Sequence, residues 1–265
     1  MKEFTWVGSQ EHFIDKINVQ KINQIRIGRF GGKSTAGQNK NDDGCLIWIG
    51  EKKDWELAMI LDAHNTAESA EIVIEKFTMK KPEIVTSLSM PINQSFKRLE
   101  EVVLDLFQGE EFLSSCRKIK GETACLIVAR KDKYVWWLSI GDCSLYIFHP
   151  ELASLGQYQI NQRQFFEWVG KVNTFEQTVP CYSRGIRELR KGFNRIFLTT
   201  DGLIECPNEP FSNPKEIYKV ISSSEEEESI KRLLQNIQDN HVKDSTTIIS
   251  WKVNITDSVT RPSKE

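Results

Sequence analysis

Short apolar runs of strand length recur along this chain, and many of them begin or end at an aspartate. Asp42 and Asp43 stand just before the run that starts at Cys45. Asp62 ends Ala-Met-Ile-Leu, Asp142 follows the run ending at Ile140, Asp201 follows Ile-Phe-Leu-Thr-Thr, and Asp244 stands before Thr-Thr-Ile-Ile-Ser-Trp. A lone acid at a strand end is most often a turn residue. Six acids in one such pattern call for a joint explanation.

The same runs constrain the fold class. Strands are expected at 22–27, 45–49, 57–61, 123–129, 134–140, 145–148, 195–200 and 246–253, from period-two alternation or from short apolar stretches bounded by turns. The polar residues 51–54 make the second and third of these a hairpin. Helical spacing runs through 65–80, with Asn65 or Thr66 as cap. It resumes from Pro91, where Phe96, Leu99, Val102, Val103, Leu106 and Phe107 form one stripe. Two more helices are expected at 214–221 and 225–239, the second opened by glutamates that suit the positive end of a helix. The stretch 150–190 reads as irregular, with one short helical piece near 164–169. Strands mixed with helix pairs, without regular βαβ alternation, indicate α+β architecture rather than a doubly wound sheet. One domain is expected over 1–255, with 256–265 as a frayed tail.

Composition removes several function classes. A net charge of −2 offers no basic footprint for nucleic acid and no polybasic membrane patch. No apolar run approaches the ~20 residues of a membrane span, and the first residues lack the apolar core of a signal peptide. None of the six cysteines forms a C-x-x-C pair, which speaks against zinc or redox ligands, and most of them sit in apolar runs and read as small buried hydrophobes. The expectation is a cytoplasmic protein with no nucleic-acid and no membrane partner.

Oxygen-only clusters suit hard ions such as Mg²⁺ or Mn²⁺. Two such ions about 4 Å apart can clamp a phosphoryl group and acidify a shared water. Many acids are needed there, because two dications close together repel each other. In order along the chain, Ser34 to Asp43, Leu61-Asp62-Ala63-His64-Asn65, Gly121-Glu122-Thr123-Ala124, Ile140-Gly141-Asp142-Cys143-Ser144, Leu198-Thr199-Thr200-Asp201-Gly202-Leu203 and Lys243-Asp244-Ser245-Thr246-Thr247 resemble the successive motifs of the PP2C (PPM) family of metal-dependent Ser/Thr protein phosphatases. Each match alone is weak, since Asp-Gly is a common turn. Six in order, spanning Ser34 to Thr247, are specific.

The resemblance implies an α-β-β-α sandwich, two stacked antiparallel sheets flanked by helix pairs, with Mn²⁺ or Mg²⁺ in the cleft. Two ions are implied, with a third, weaker one. It assigns Asp62 as the bridge between both ions and the Ala63 carbonyl as a ligand. Asp201 and Asp244 complete the core, Asp43 and Asp42 act at close range or through bound water, and Asp142 serves the third ion. His64 matches the general acid that protonates the leaving oxygen, a role suited to a side chain that exchanges protons near neutral pH. The implied reaction is direct attack of a metal-bridging hydroxide on phosphoserine or phosphothreonine of a protein, with Ser/Thr kinases or their targets as counterparts. The stretch 150–190 falls where the family carries a variable flap, expected to tune substrate choice.

Four positions depart from the pattern. Gln38 stands where the family has a phosphate-contacting Arg, and glutamine offers no charged fork; Lys33 or Lys40 is the nearest replacement. Ala63 and Asn65 stand for two glycines around the histidine, and Ser144 for an Arg. An alternative reading is therefore a weak or inactive PP2C-like module that binds a phosphoprotein or regulatory partner. A nucleotide loop at Gly28 to Ser34 fails on spacing, with three residues where four are needed before Gly-Lys.

Overall fold

A computed structural model describes residues 1–52 and 54–263. In chain order its elements are β1 (Lys2–Val7), β2 (Asn18–Ile22), β3 (Ile25–Phe30), β4 (Gly44–Ile49), β5 (Trp55–His64), α1 (Glu68–Met79), α2 (Lys81–Ser89), α3 (Ile92–Gln108), α4 (Glu110–Cys116), β6 (Glu122–Lys131), β7 (Tyr134–Ile140), β8 (Ser144–Phe148), α5 (Pro150–Ser154), β9 (Val169–Gly170), β10 (Ser183–Glu188), β11 (Gly192–Thr199), α6 (Pro214–Ser222), α7 (Glu226–Asp239) and β12 (Thr246–Ile255). The strands form two antiparallel sheets. One runs β1-β4-β5-β6-β7-β10, with β9 on β6; the other runs β2-β3-β12-β11-β8.

Alternation along each strand explains the layering, because successive side chains leave opposite faces. On β5, Leu57, Met59 and Leu61 pack under α1–α4, while Ala58 and Ile60 meet the second sheet. On β11, Ile196 and Leu198 face the first sheet and Phe197 faces α6 and α7. Both faces of the central strands are therefore apolar, and three cores stack between four layers, helices, sheet, sheet, helices. Gly28 on β3 permits the last contact, since a Cβ there would lie 2.3 Å from Ile230 of α7. This is the expected α+β sandwich. Among the described residues, no helix is long and apolar enough to cross a membrane.

Local readings differ in several places, and β1, α4 and, within the stretch expected to be irregular, β9 and β10 answer to no expected element. The strand expected at 22–27 is two strands, turned at Asn23 (φ 55°), with β3 continuing to Phe30. The helix expected at 65–80 begins at Glu68, and a second helix, α2, follows with Pro82 in its first turn, where a missing N–H does no harm. Residues 164–168 form no helix, and Phe166 turns at φ 67°. The short helix of that stretch is α5, capped by the His149 ring, which accepts from the Glu151 amide at 3.1 Å. The segment expected to fray is tied down in part. The Thr260 amide donates to Glu188 at 3.0 Å, and Lys133 donates to the Ser258 carbonyl at 2.6 Å. Of the positions named in these expectations, Lys53 in the hairpin turn and Lys264 and Glu265 in the tail lie outside the described residues.

Candidate metal centre

The registers bring the aspartates to one end of the sandwich. Gly44 pairs with Leu61, Asp62 with Ala124, and Cys125 with Ile140 in the first sheet; Thr199 pairs with Ile248 in the second. Asp43 before β4, Asp62 ending β5, Asp142 after β7, Asp201 after β11 and Asp244 before β12 thus share one rim. Asp62 follows Ala58 and Ile60 in alternation and so projects between the sheets. Asp201 opens a 3₁₀ turn (Asp201–Leu203) pressed against the Asp244 loop, with Gly202 so close that a Cβ would lie 2.3 Å from the Ser245 carbonyl oxygen.

Carboxylate oxygens of Asp62, Asp142 and Asp201 lie within 4.8 Å of one another. Asp43 is buried beside them, its Oδ2 accepting from Thr247 Oγ1 at 2.6 Å and Thr200 Oγ1 at 3.4 Å. Asp62 Oδ2 and Asp201 Oδ1 are buried with no hydrogen-bond partner. Burial pushes the carboxyls of Asp43 and Asp62 well above the ordinary range, and the neighbouring aspartates add to the shift. Asp201 is pushed up to about 11, first by burial and then by Asp62 and Asp244. Burial also raises Asp142, against the opposing pull of Arg163. Asp244 lies exposed at the rim, with Oδ1 accepting from the Ser245 amide at 2.8 Å. Buried carboxylates with unpartnered lone pairs are what a cation of the hard, oxygen-seeking kind completes. The residues present fit Mg²⁺ or Mn²⁺.

No family model matches the chain, and no curated protein matches it. Solved structures do. A bacterial serine phosphatase superposes with a TM-score of 0.67 at 15% identity, covering 89% of this chain and 99% of its own. The Ser/Thr phosphatase Stp1 of Staphylococcus aureus gives 0.64 at 14%, covering 90% and 94%. The catalytic domain of the Ser/Thr protein phosphatase PstP, in complex with two manganese ions, gives 0.58 at 15%, covering 96% and 99%. This is the PP2C phosphatase fold.

Within that fold, the motif residues divide. Asp43, Asp62, Asp142 and Asp201 converge, with Asp244 at the edge and Ala63 beside Asp62 in β5. Asp42 is engaged elsewhere, 2.5 Å from Lys40 Nζ, which also donates to the Asn65 carbonyl. His64 is exposed at the end of β5, at the mouth of the cleft. Asn65 takes the left-handed conformation at φ 72°, which asparagine tolerates, and Ala63 stays in the strand. Gln38 turns its Oε1 to the Asn39 amide at 3.2 Å, and Lys33 sits 3.7 Å from Asp15.

The sequence reading missed three site residues. Thr200 and Thr247 clasp Asp43, and Thr200 Oγ1 also accepts from the Thr247 amide at 3.0 Å, joining the β11 and β12 ends. Their signal was present, since both flank motif aspartates. Arg163 had none. It lies in the irregular stretch, 3.5 Å from Asp142 and paired with Glu205, and its Nε donates to the Asp142 carbonyl at 3.0 Å.

Proposed function

We propose that this chain is a metal-dependent phosphatase that hydrolyses phosphoserine and phosphothreonine on proteins. The observation that carries the reading is the cluster of Asp62, Asp142 and Asp201 within 4.8 Å, with oxygens of Asp62 and Asp201 buried and unpartnered. Two Mn²⁺ or Mg²⁺ ions would be held by Asp62 between them, with Asp201, Asp244, the Ala63 carbonyl and Asp43, and a third, weaker ion by Asp142. Such ions supply an acidified water as nucleophile and positive charge for the phosphoryl oxygens.

The chain's own residues do the rest. Thr247 and Thr200 hold Asp43 in one rotamer, so a ligand oxygen is fixed before any ion arrives. His64, exposed at the end of β5, would hand a proton to the departing serine or threonine oxygen. The Lys40 contact keeps Asp42 out of the cluster. The alternative reading, a weak or inactive PP2C-like module that binds a phosphoprotein or regulatory partner, draws on Gln38, Ala63 and Asn65, which stand where the family pattern has an arginine and two glycines.

Hydrolysis of p-nitrophenyl phosphate and of phosphoserine peptides, with Mn²⁺, Mg²⁺ or EDTA, tests the reading beside Asp201→Asn. Metal-dependent release of phosphate that disappears in the variant supports the phosphatase. Mn²⁺ binding without turnover on either substrate sinks it and leaves the binding module.

A further inference from the structure

We propose a second site, on the helix-covered face of the second sheet: a pocket for a small organic anion, with a phosphate or carboxylate head on a flat apolar body, built around Arg195. Arg195 is only 5% exposed, and its Nη1 is buried with no hydrogen-bond partner. Directly opposite it in register on β12 stands Lys252. Among the described residues neither cation forms an ion pair. Like charges directly opposite on neighbouring strands repel, and a guanidinium withdrawn from water without a direct ion pair is costly. An anion between the two relieves both.

The cavity beside them has the shape for one. It measures about 270 Å³, and Phe148, Phe193, Tyr218 and Ile221 supply apolar walls around Arg195 and Lys252. Phe148 is the other cross-strand neighbour of Arg195. Phe193 lies two residues before Arg195, on the same face of β11, and leaves 65% of its surface in solvent. A cavity of this size holds a single ring and its head group rather than a polymer. It is separate from the metal centre: Arg195 lies four residues before the end of β11 at Thr199, ~13 Å at the rise of a strand, and Asp201 lies beyond that end. The acids nearest in charge are Glu225 and Glu226. Neither pairs with Arg195, and Glu226 Oε1 is itself buried without a partner.

Phenylphosphonate, which phosphatases cannot hydrolyse, is the probe, titrated calorimetrically into the full chain in EDTA. Inorganic phosphate is titrated as the head alone and benzoate as the carboxylate counterpart. Phenylphosphonate or benzoate should bind at least 10-fold more tightly than inorganic phosphate, and the tighter of the two identifies the head. Arg195→Gln should weaken that binding at least 10-fold. Phe193→Ala, an exposed position that leaves folding intact, should weaken it several-fold, and Glu226→Gln should tighten it. Absence of binding in the wild type, or equal binding in wild type, Arg195→Gln and Phe193→Ala, overturns the proposal. So does a loss of thermal stability in Glu226→Gln as large as that in Arg195→Gln, because Glu226 would then be the counter-charge.

Discussion

Replacing Asp201 with asparagine should stabilise the metal-free protein while removing its response to metal. Unfolded, this carboxyl has its ordinary pKa of 3.8; folded, burial and the neighbouring aspartates raise it to about 11. Below 3.8 both states carry the proton and the group is neutral to stability. As the pH rises above that value the unfolded state releases the proton and the folded state keeps it, so stability falls by about 1.4 kcal/mol per pH unit until the folded pKa is reached. At pH 7 the accumulated penalty is about 4 kcal/mol, and at pH 5 about 2 kcal/mol. Asparagine carries no such penalty. With part of the gain lost to altered packing, Asp201→Asn should gain roughly 2–4 kcal/mol at pH 7 in EDTA, about 5–15 °C in Tm for a domain of this size. Thermal unfolding in EDTA at pH 5.5, 7 and 8.5 measures it, and the gap between variant and wild type should widen at each step. Saturating Mn²⁺ should reverse the order by raising only the wild type. A variant less stable than wild type in EDTA at pH 8.5, or a gap independent of pH, would refute the burial argument.

Four other outcomes are expected. Asp62→Asn should lower metal-dependent hydrolysis of p-nitrophenyl phosphate by at least ~1,000-fold, read as kcat at saturating Mn²⁺. Thr247→Val, which removes the 2.6 Å donor to Asp43, should weaken Mn²⁺ binding ~10–100-fold by calorimetry with little change in fold. Asn65→Val should lose ~1–2 kcal/mol in denaturant unfolding because a β-branched residue resists φ 72°, whereas Asn65→Gly should be close to neutral. Phe166→Ala, at a position 85% exposed in the stretch beside Arg163, should lower kcat/KM on phosphopeptides while sparing p-nitrophenyl phosphate; equal losses on both would end the idea that this stretch selects substrates.

The central strands were legible because both their faces are buried. Residues 45–49, 57–61 and 123–129 sit between two apolar cores, so their sequences are apolar without interruption. The edge strands β1 and β2 were not legible, since one side faces water and their polar residues break the pattern. The break between α1 and α2 was hidden for a related reason. Pro82 normally ends a helix, but here it starts one, and only the packing of Ile84 and Leu88 under the sheet distinguishes the two. At the site, each aspartate was readable from its place at a strand end. Its partners were not, because hydrogen bonds such as Thr247 to Asp43 span 204 residues and depend on two sheets meeting. Asp42 and Asp43 are adjacent and chemically identical; Lys40 on one and Thr200 and Thr247 on the other separate the engaged acid from the buried one.

The charge around the cleft bears on what the metal is for. Asp43, Asp62, Asp142 and Asp201 are gathered there, and the cations that reach the cluster are committed. Arg163 lies against Asp142 and Glu205, and Lys40 against Asp42 and the Asn65 carbonyl. Gln38, where the PP2C pattern has an arginine, adds no charge. Without ions the buried carboxyls of Asp43, Asp62 and Asp201 hold on to protons at neutral pH, so the cleft offers a phosphoryl dianion neutral acids and, among the described residues, no free cation. Divalent ions would displace those protons and bring the positive charge that glutamine at position 38 does not, so in the proposed reaction phosphate capture as well as turnover would depend on them.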